Sequence, residues 1–213
     1  METDIDIRTV AEQLLEAASE RLCLADSAAY LGNPYLLIAH DEREAPFLLG
    51  KDGLEDRTAL LSRTDENDTV LTAWVRPATG SPVIGFGIDL VTLSDFEGEH
   101  GAFLIEHLLS EQDQLFVPEL SPIASAANAY AFSAKEAAFK ACSQPLRAWV
   151  VAVNDDLYFE VRGFELLDAA HEAGTARSAE AQAAMDLLGI RSIELMRASA
   201  GDLAVTLAFA LSR

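Results

Sequence analysis

The stretch from Phe132 to Lys140 constrains the fold most strongly, because nothing in it breaks a helix. It contains no Gly, Pro or β-branched residue, and Ala, Lys and Glu all favour helix. At about 100° per residue, one face carries two aromatic rings, one carboxylate and two ammonium groups, from Phe132, Lys135, Glu136, Phe139 and Lys140. The other face carries only methyl side chains, from Ala127, Ala131, Ala134, Ala137, Ala138 and Ala141. This Ala face predicts close packing against a neighbouring element.

The charged face has two interpretations. A solvent-exposed Glu136–Lys140 pair at i,i+4 spacing would stabilise a surface helix by roughly 0.3–0.5 kcal/mol. An ordinary surface helix, however, keeps its charges away from its aromatic rings. A functional role for the charged face is therefore the alternative.

Composition excludes several classes of protein. The chain has 213 residues, half of them apolar, and a net charge of −20. This acidity argues against nucleic-acid binding, which needs clusters of Lys and Arg. No run of 18 or more apolar residues exists, so we expect no membrane span. The acidic N-terminus lacks signal-peptide features, and we expect a cytoplasmic protein whose Cys23 and Cys142 are reduced core thiols.

The order of predicted elements indicates an α+β fold with antiparallel hairpins. We predict helices at 5–31, 103–116 and 123–142, strands at 58–63, 69–75, 83–93, 149–153, 157–165, 191–196 and 203–211, and a polar insertion or weak helix at 169–187. Residues 34–54 read as irregular or as short strands. Two similar halves, 1–98 and 99–213, would each pack helices on an antiparallel sheet in a pseudo-two-fold arrangement.

A second informative stretch runs from Gly85 to Val91, where Asp89 is the one acid in an apolar strand. Burying a carboxylate is costly unless it is paired or binds a metal. The flanking Gly85 and Gly87 let another backbone or a ligand approach closely. The alternative is an Asp that caps the turn after the strand.

A third signal lies between these two stretches, in the segment from Leu109 to Leu115. Ser110 followed three residues later by Asp113 is typical of a helix start, with Ser110 as the N-cap.

Taken together, the stretches resemble the signature motifs of the 4′-phosphopantetheinyl transferases. That family has a G-[IV]-D strand followed by [FW]-[SA]-x-K-E-[AS]-x-x-K on a helix. Here Gly87-Ile88-Asp89 and the segment Phe132–Lys140 match this pattern, and 109–115 is similar to the family's T-x-x-E-L segment. Gly50-Lys51-Asp52 and Ser62-Arg63-Thr64 stand where the surfactin-type class has G-K-P and S-H-S.

The resemblance implies an Mg²⁺-dependent transfer of the phosphopantetheine arm of coenzyme A to a serine of an acyl, peptidyl or polyketide carrier protein. Asp89 and Glu136 would be the metal ligands, and Lys140 would neutralise phosphate charge. Lys51, Arg63 and Lys135 are further candidates for binding coenzyme A, although Lys135 is alternatively structural. Glu136 is also a candidate base for the serine. The site would lie at the junction of the halves, in a monomer.

Two departures from the family pattern keep an alternative open. Val91 stands where some members have a third acid, and Arg63 replaces the S-H-S histidine. A net charge of −20 also disfavours docking of an acidic carrier protein. The alternative is a domain of the same fold with altered or lost activity, serving as a binding or scaffolding module in a synthase.

Overall fold

The structure, a computed structural model, describes residues 6–32, 38–40, 46–49, 53–54, 56, 58–111, 113–114, 121, 123–143, 164–169, 173–178, 185–186 and 189–212. The helices are α1 Ile7–Leu22, α2 Gly98–Leu108 and α3 Ala124–Ser143, with a 3₁₀ turn at Leu93–Phe96. The strands are β1 Leu24–Leu31, β2 Ile38–His40, β3 Pro46–Leu48, β4 Leu60–Glu66, β5 Thr69–Pro77, β6 Val83–Thr92, β7 Phe164–Ala169, β8 Ala173–Ser178, β9 Ile190–Ala200 and β10 Leu203–Ser212.

These strands form antiparallel sheets. One sheet has the order β1-β5-β4, a second has β6-β10-β9-β8-β7, and β2 pairs with β3. Helices and antiparallel sheets confirm the predicted α+β class. The pseudo-two-fold relation stays a prediction, and β6, inside the predicted N-terminal half, pairs with β10.

Two hairpins are confirmed, one between the strands predicted at 58–63 and 69–75 and one between those predicted at 191–196 and 203–211. β4 and β5 are joined at Asn67-Asp68, and Asn67 adopts a φ of 51°, the left-handed conformation that tight hairpins require. β9 and β10 are joined at Gly201-Asp202, where Gly201 supplies a φ of 58°. The short strands expected within 34–54 are present as β2 and β3.

Two predicted elements were wrong. The helix predicted to run to Leu31 ends at Leu22, and Cys23, with a φ of 54°, turns the chain into β1. The Ala-rich β1 has helix propensity, but its pairing with β5 decides the conformation. Part of the predicted insertion or weak helix at 169–187 is instead strand β8, which pairs with β7 and β9.

Other predictions were shifted or fall outside the described residues. The helix predicted at 103–116 is α2, which ends at Leu108 before a new helical turn begins after Ser110. The strand predicted at 149–153 and most of that at 157–165 lie outside the described residues; β7 begins at Phe164.

The hydrophobic core lies on both faces of the β6-β10-β9 strands. On one face, α1 packs in a common cluster with Phe86, Ile88 and Leu90 of β6. On the other face, α3 packs over Gly85, Gly87 and the facing residues of β10 and β9. Because both faces are covered, β6 is apolar along nearly its whole length, and its one acid, Asp89, is buried.

Candidate active site

The position of α3 on the sheet is fixed by small residues on both partners. The Ala face predicted for this helix is buried, with Ala127, Ala131, Ala137, Ala138 and Ala141 fully inaccessible. Opposite it, a Cβ on Gly85 would fall on the carbonyl oxygen of Ala141, and a Cβ on Gly87 on that of Ala137. Only glycine permits this approach. The contact holds the charged end of α3 beside β6.

Asp89, Glu136 and Lys140 come together at this contact. The Nζ atom of Lys140 donates to Oδ1 of Asp89 at 2.7 Å, and it lies 3.9 Å from Oε2 of Glu136. Two carboxylate oxygens from different elements thus flank one ammonium group. Their separation cannot exceed the sum of these two distances, so the carboxylates are neighbours.

Exposure is graded across this cluster. The side chain of Asp89 is 7% exposed, that of Glu136 17% and that of Lys140 27%. Asp89 therefore lies at the base, with Glu136 and Lys140 nearer to solvent. The Glu136–Lys140 pair is at i,i+4 spacing but is neither fully exposed nor isolated, because it shares the buried Asp89. The surface-helix interpretation does not describe this arrangement.

The two oxygens of Asp89 have different surroundings. Oδ1 accepts from Lys140 and from Thr64, whose Oγ1 lies 3.2 Å away. Oδ2 is buried and has no hydrogen-bond partner among the described residues. A buried carboxylate oxygen without a donor is unfavourable, and it is a suitable ligand for a hard cation.

The donor set fits Mg²⁺. This ion commonly binds one or two carboxylates and completes its octahedron with waters and substrate phosphates. Asp89 and Glu136 provide two carboxylates. In the part of the chain that the structure describes, no group of three or more His, Cys, Asp or Glu forms a metal cage.

Hydroxyl groups of β4 connect it to β6 next to this cluster. Ser62 Oγ accepts from the Ile88 amide at 3.0 Å, and Thr64 Oγ1 accepts from the Leu90 amide at 3.1 Å. We call this contact the β4–β6 seam. It joins the two larger sheets through hydrogen bonds from backbone amides of β6 to side-chain hydroxyls of β4.

The remaining candidate ligands of coenzyme A lie elsewhere or are not described. Ser62 and Thr64 point to β6, so Arg63, between them, points to the opposite face of β4. Arg63 pairs across that face with Thr72 of β5, and its Nε is buried without a hydrogen-bond partner among the described residues. The structure does not bring Arg63 to Asp89. Lys51 lies outside the described residues.

Lys135 is fully buried and pairs with an aspartate other than Asp89. Its Nζ lies 2.6 Å from Oδ2 of Asp113, and neither side chain has any exposed surface. Asp113 also accepts from the amide and hydroxyl of Ser110 and, through Oδ1, from the amide of Leu166 in β7. We call this contact the Lys135–Asp113 lock, because it joins α3 to Ser110 and to β7.

The predicted helix start at Ser110 is confirmed. Asp113 N donates to Ser110 Oγ at 3.1 Å while the Asp113 carboxylate accepts from Ser110 N at 2.9 Å, the reciprocal pair of a capping box. Sequence reasoning found this box but missed that its Asp also pairs with Lys135. It also missed Thr64 beside Asp89. Alternation along β4 was the available signal, since a strand that turns Ser62 to a neighbour also turns Thr64.

The two cysteines differ. Cys142 in α3 is buried, and burial raises the pKa of its thiol to about 12, so it is an unreactive core residue as predicted. Cys23 is exposed at the end of α1. The prediction of a core position for Cys23 was wrong, because the chain leaves the helix there.

Comparison with known proteins places the chain within a family. A model of the 4′-phosphopantetheinyl transferase superfamily matches residues 85–208, more than half of the chain. The matched region includes β6 with Asp89 and α3 with Glu136 and Lys140. The chain therefore belongs to the 4′-phosphopantetheinyl transferase superfamily, a group of enzymes that transfer phosphopantetheine.

Two further findings complete the comparison. No curated protein matched the chain in a search by sequence. Among the helices of the described residues, none is both long enough and apolar enough to cross a bilayer.

Proposed function

We propose that this chain is an Mg²⁺-dependent enzyme that moves the 4′-phosphopantetheine arm of coenzyme A to a serine of a carrier protein. The carrier would be an acyl, peptidyl or polyketide carrier protein. The observation that carries the proposal is the convergence of Asp89, Glu136 and Lys140 on one partly open cluster. Superfamily membership supports the reaction type, and the cluster supports the metal requirement.

Asp89 and Glu136 are the proposed metal ligands. Asp89 would offer Oδ2, the oxygen without a donor among the described residues, and Glu136 would offer its carboxylate from α3. When bound, Mg²⁺ would neutralise charge on the phosphate oxygens of coenzyme A. Val91 provides no third carboxylate, and that face of β6 is packed with apolar side chains.

In the proposed reaction, the serine oxygen forms a bond to the phosphorus of the phosphopantetheine group. The pyrophosphate P–O bond breaks, and adenosine 3′,5′-bisphosphate leaves with the electron pair. Glu136 would accept the serine proton, directly or through a water. Lys140, 27% exposed, would turn its ammonium group from Asp89 toward the phosphates and stabilise the charge that develops there.

The other candidate residues receive different roles. The full burial of Lys135 and its pairing with Asp113 support its structural role rather than contact with coenzyme A. Lys51 and Arg63 stay proposed ligands of coenzyme A from the resemblance alone. The division into halves 1–98 and 99–213 is likewise proposed, with the site beside the β4–β6 seam.

The altered-domain alternative keeps one supporting observation. Arg63, which replaces the family histidine, points to the face of β4 away from Asp89. A protein with this geometry would bind the nucleotide part of coenzyme A less well than one with a phosphate ligand there. Such a chain would retain the fold and serve as a binding module in a synthase.

Mass spectrometry of carrier proteins tests the proposal. With Mg²⁺ and coenzyme A, the wild type should add the mass of one phosphopantetheine to an apo carrier protein, and omission of Mg²⁺ should abolish the addition. A panel of fatty-acid, polyketide and nonribosomal-peptide carriers identifies the substrate. Failure across the whole panel would refute the enzyme. Calorimetry with coenzyme A and Mg²⁺ then separates a binding module from a protein with no such site.

A further inference from the structure

Thr64 contacts the side chain of Asp89 and the backbone of the next residue, Leu90. It is only 4% exposed. Its Oγ1 accepts from the amide of Leu90 at 3.1 Å and lies 3.2 Å from Oδ1 of Asp89. The residue comes from β4, in a different sheet from Asp89.

The hydroxyl hydrogen of Thr64 has one defined acceptor. A hydroxyl carries one donor hydrogen and two acceptor lone pairs. The Leu90 amide is a donor, so it occupies a lone pair. Because an ionised carboxylate can only accept, the hydroxyl hydrogen of Thr64 is the hydrogen that bonds Oδ1 of Asp89. The two bonds together fix the hydroxyl in one orientation.

This bond constrains the rotation of the carboxylate. Oδ1 is held from one side by Thr64 and from the other by Lys140. Rotation of the Asp89 carboxylate would break both bonds, so Oδ2 is the oxygen left for a cation. When Lys140 turns to phosphate, as the proposed function requires, Thr64 is the donor among the described residues that still holds Oδ1.

We propose that Thr64 is a positioning residue that orients Asp89 for metal binding. The inference rests on the proposed function for the identity of the metal. It gives the β4–β6 seam a role in metal binding, because Thr64 belongs to that seam. Partners of metal ligands in other proteins commonly change metal affinity about 10- to 100-fold when they are removed. Thr64 would act through Asp89 without touching the metal or the substrate.

Ser62 supplies a matched control. Its hydroxyl accepts from the Ile88 amide in the same seam, two residues away, but it has no hydrogen bond to Asp89. Thr64→Val and Ser62→Ala each remove one hydroxyl and leave one buried amide without its acceptor. Both variants should lower the melting temperature, Thr64→Val somewhat more because it also removes the donor to Asp89, and only Thr64→Val should weaken metal binding.

The experiment measures Mg²⁺ binding by calorimetry, without coenzyme A or carrier, for the wild type, Thr64→Val, Thr64→Ser and Ser62→Ala. Thr64→Val should bind Mg²⁺ about tenfold more weakly than the wild type. Thr64→Ser and Ser62→Ala should bind Mg²⁺ within about twofold of the wild type, which is well below the change expected on removing a hydrogen-bond partner of a metal ligand. In transfer assays, Thr64→Val should raise the Mg²⁺ concentration needed for half-maximal rate more than the KM for coenzyme A.

Three outcomes would overturn the proposal. Thr64→Val could bind Mg²⁺ as tightly as the wild type, Ser62→Ala could lose as much Mg²⁺ affinity as Thr64→Val, or Thr64→Ser could bind Mg²⁺ as weakly as Thr64→Val. If Thr64→Val does not fold, the contrast between Thr64→Ser and Thr64→Ala replaces it. The proposed function fails separately, through absence of transfer by the wild type. A protein that does not transfer but shows the affinity difference would keep Thr64 in its role.

Discussion

Lys135 and Lys140 lie five residues apart on α3, and each faces an aspartate, yet their surroundings differ. In the Lys135–Asp113 lock, both side chains are fully buried, and the Asp113 carboxylate also accepts from Ser110 and the Leu166 amide. Lys140 and Asp89 are partly open, and Asp89 keeps a buried oxygen without a partner among the described residues.

The difference separates a structural ion pair from the proposed reactive cluster on one helix. A buried ion pair holds its geometry because exposing or breaking it leaves an uncompensated charge. An ion pair with solvent access and a free coordinating oxygen can exchange partners at low cost. The lock therefore fixes the orientation and position of α3 on the sheet. In the open cluster of Asp89, Glu136 and Lys140, this fixed helix places Glu136 and Lys140 beside β6.

The largest predicted effect comes from breaking the lock. Lys135→Met leaves the Asp113 carboxylate buried without its cation and should lower the free energy of unfolding by about 3–5 kcal/mol. Denaturant unfolding measures this change. The double variant Lys135→Met/Asp113→Leu should recover part of the loss, because it removes both charges. Wild-type stability in Lys135→Met would show that the lock does not hold the helix.

The next effect concerns the open cluster. Glu136→Gln removes a proposed metal ligand while preserving shape, and should reduce kcat/KM for transfer by at least about a hundredfold with little change in unfolding. Exposed Glu111 provides the control, since Glu111→Gln makes the same chemical change outside the cluster. Equal activity of the two variants would remove Glu136 from the mechanism.

Lys140→Gln should produce opposite effects on two measurements. Its ammonium group occupies the space beside both carboxylates, so its removal should tighten Mg²⁺ binding without coenzyme A, by a few-fold in a partly solvated site. Transfer should fall about 10- to 100-fold, because the phosphates lose a cation. Weakened metal binding would instead mean that Lys140 organises the carboxylates.

The smallest effect is expected at the cysteines. Exposed Cys23 should react with a thiol reagent at neutral pH without loss of activity, whereas Cys142, with its pKa raised to about 12 by burial, should react only after unfolding. Mass spectrometry of native and denatured protein distinguishes them. Rapid modification of Cys142 in the native protein would contradict the tight packing of α3 on the sheet.

Much of the fold follows from local signals in the sequence. The glycines of β6 and the Ala face of α3 each predicted the observed contact, because each depends on few neighbouring residues. The strand β1 could not be predicted this way. Its Ala-rich sequence favours helix, and only pairing with distant β5 makes it a strand.

The site was predictable in part for the same reason. Asp89, Glu136 and Lys140 belong to two short motifs, and the structure brings the three side chains together. Thr64 and Asp113 were not assigned their contacts, because each depends on how two separate elements align. The alignment of β4 with β6 is set by tertiary packing, and so is the approach of Asp113 to α3.

A structure of the protein with Mg²⁺ and coenzyme A tests the central claim most directly. We predict one Mg²⁺ bound by both Asp89 and Glu136, each about 2.0–2.1 Å from the ion, with Lys140 turned to phosphate and the Lys135–Asp113 lock unchanged. An ion held by neither carboxylate, in a protein that still transfers phosphopantetheine, would contradict the account.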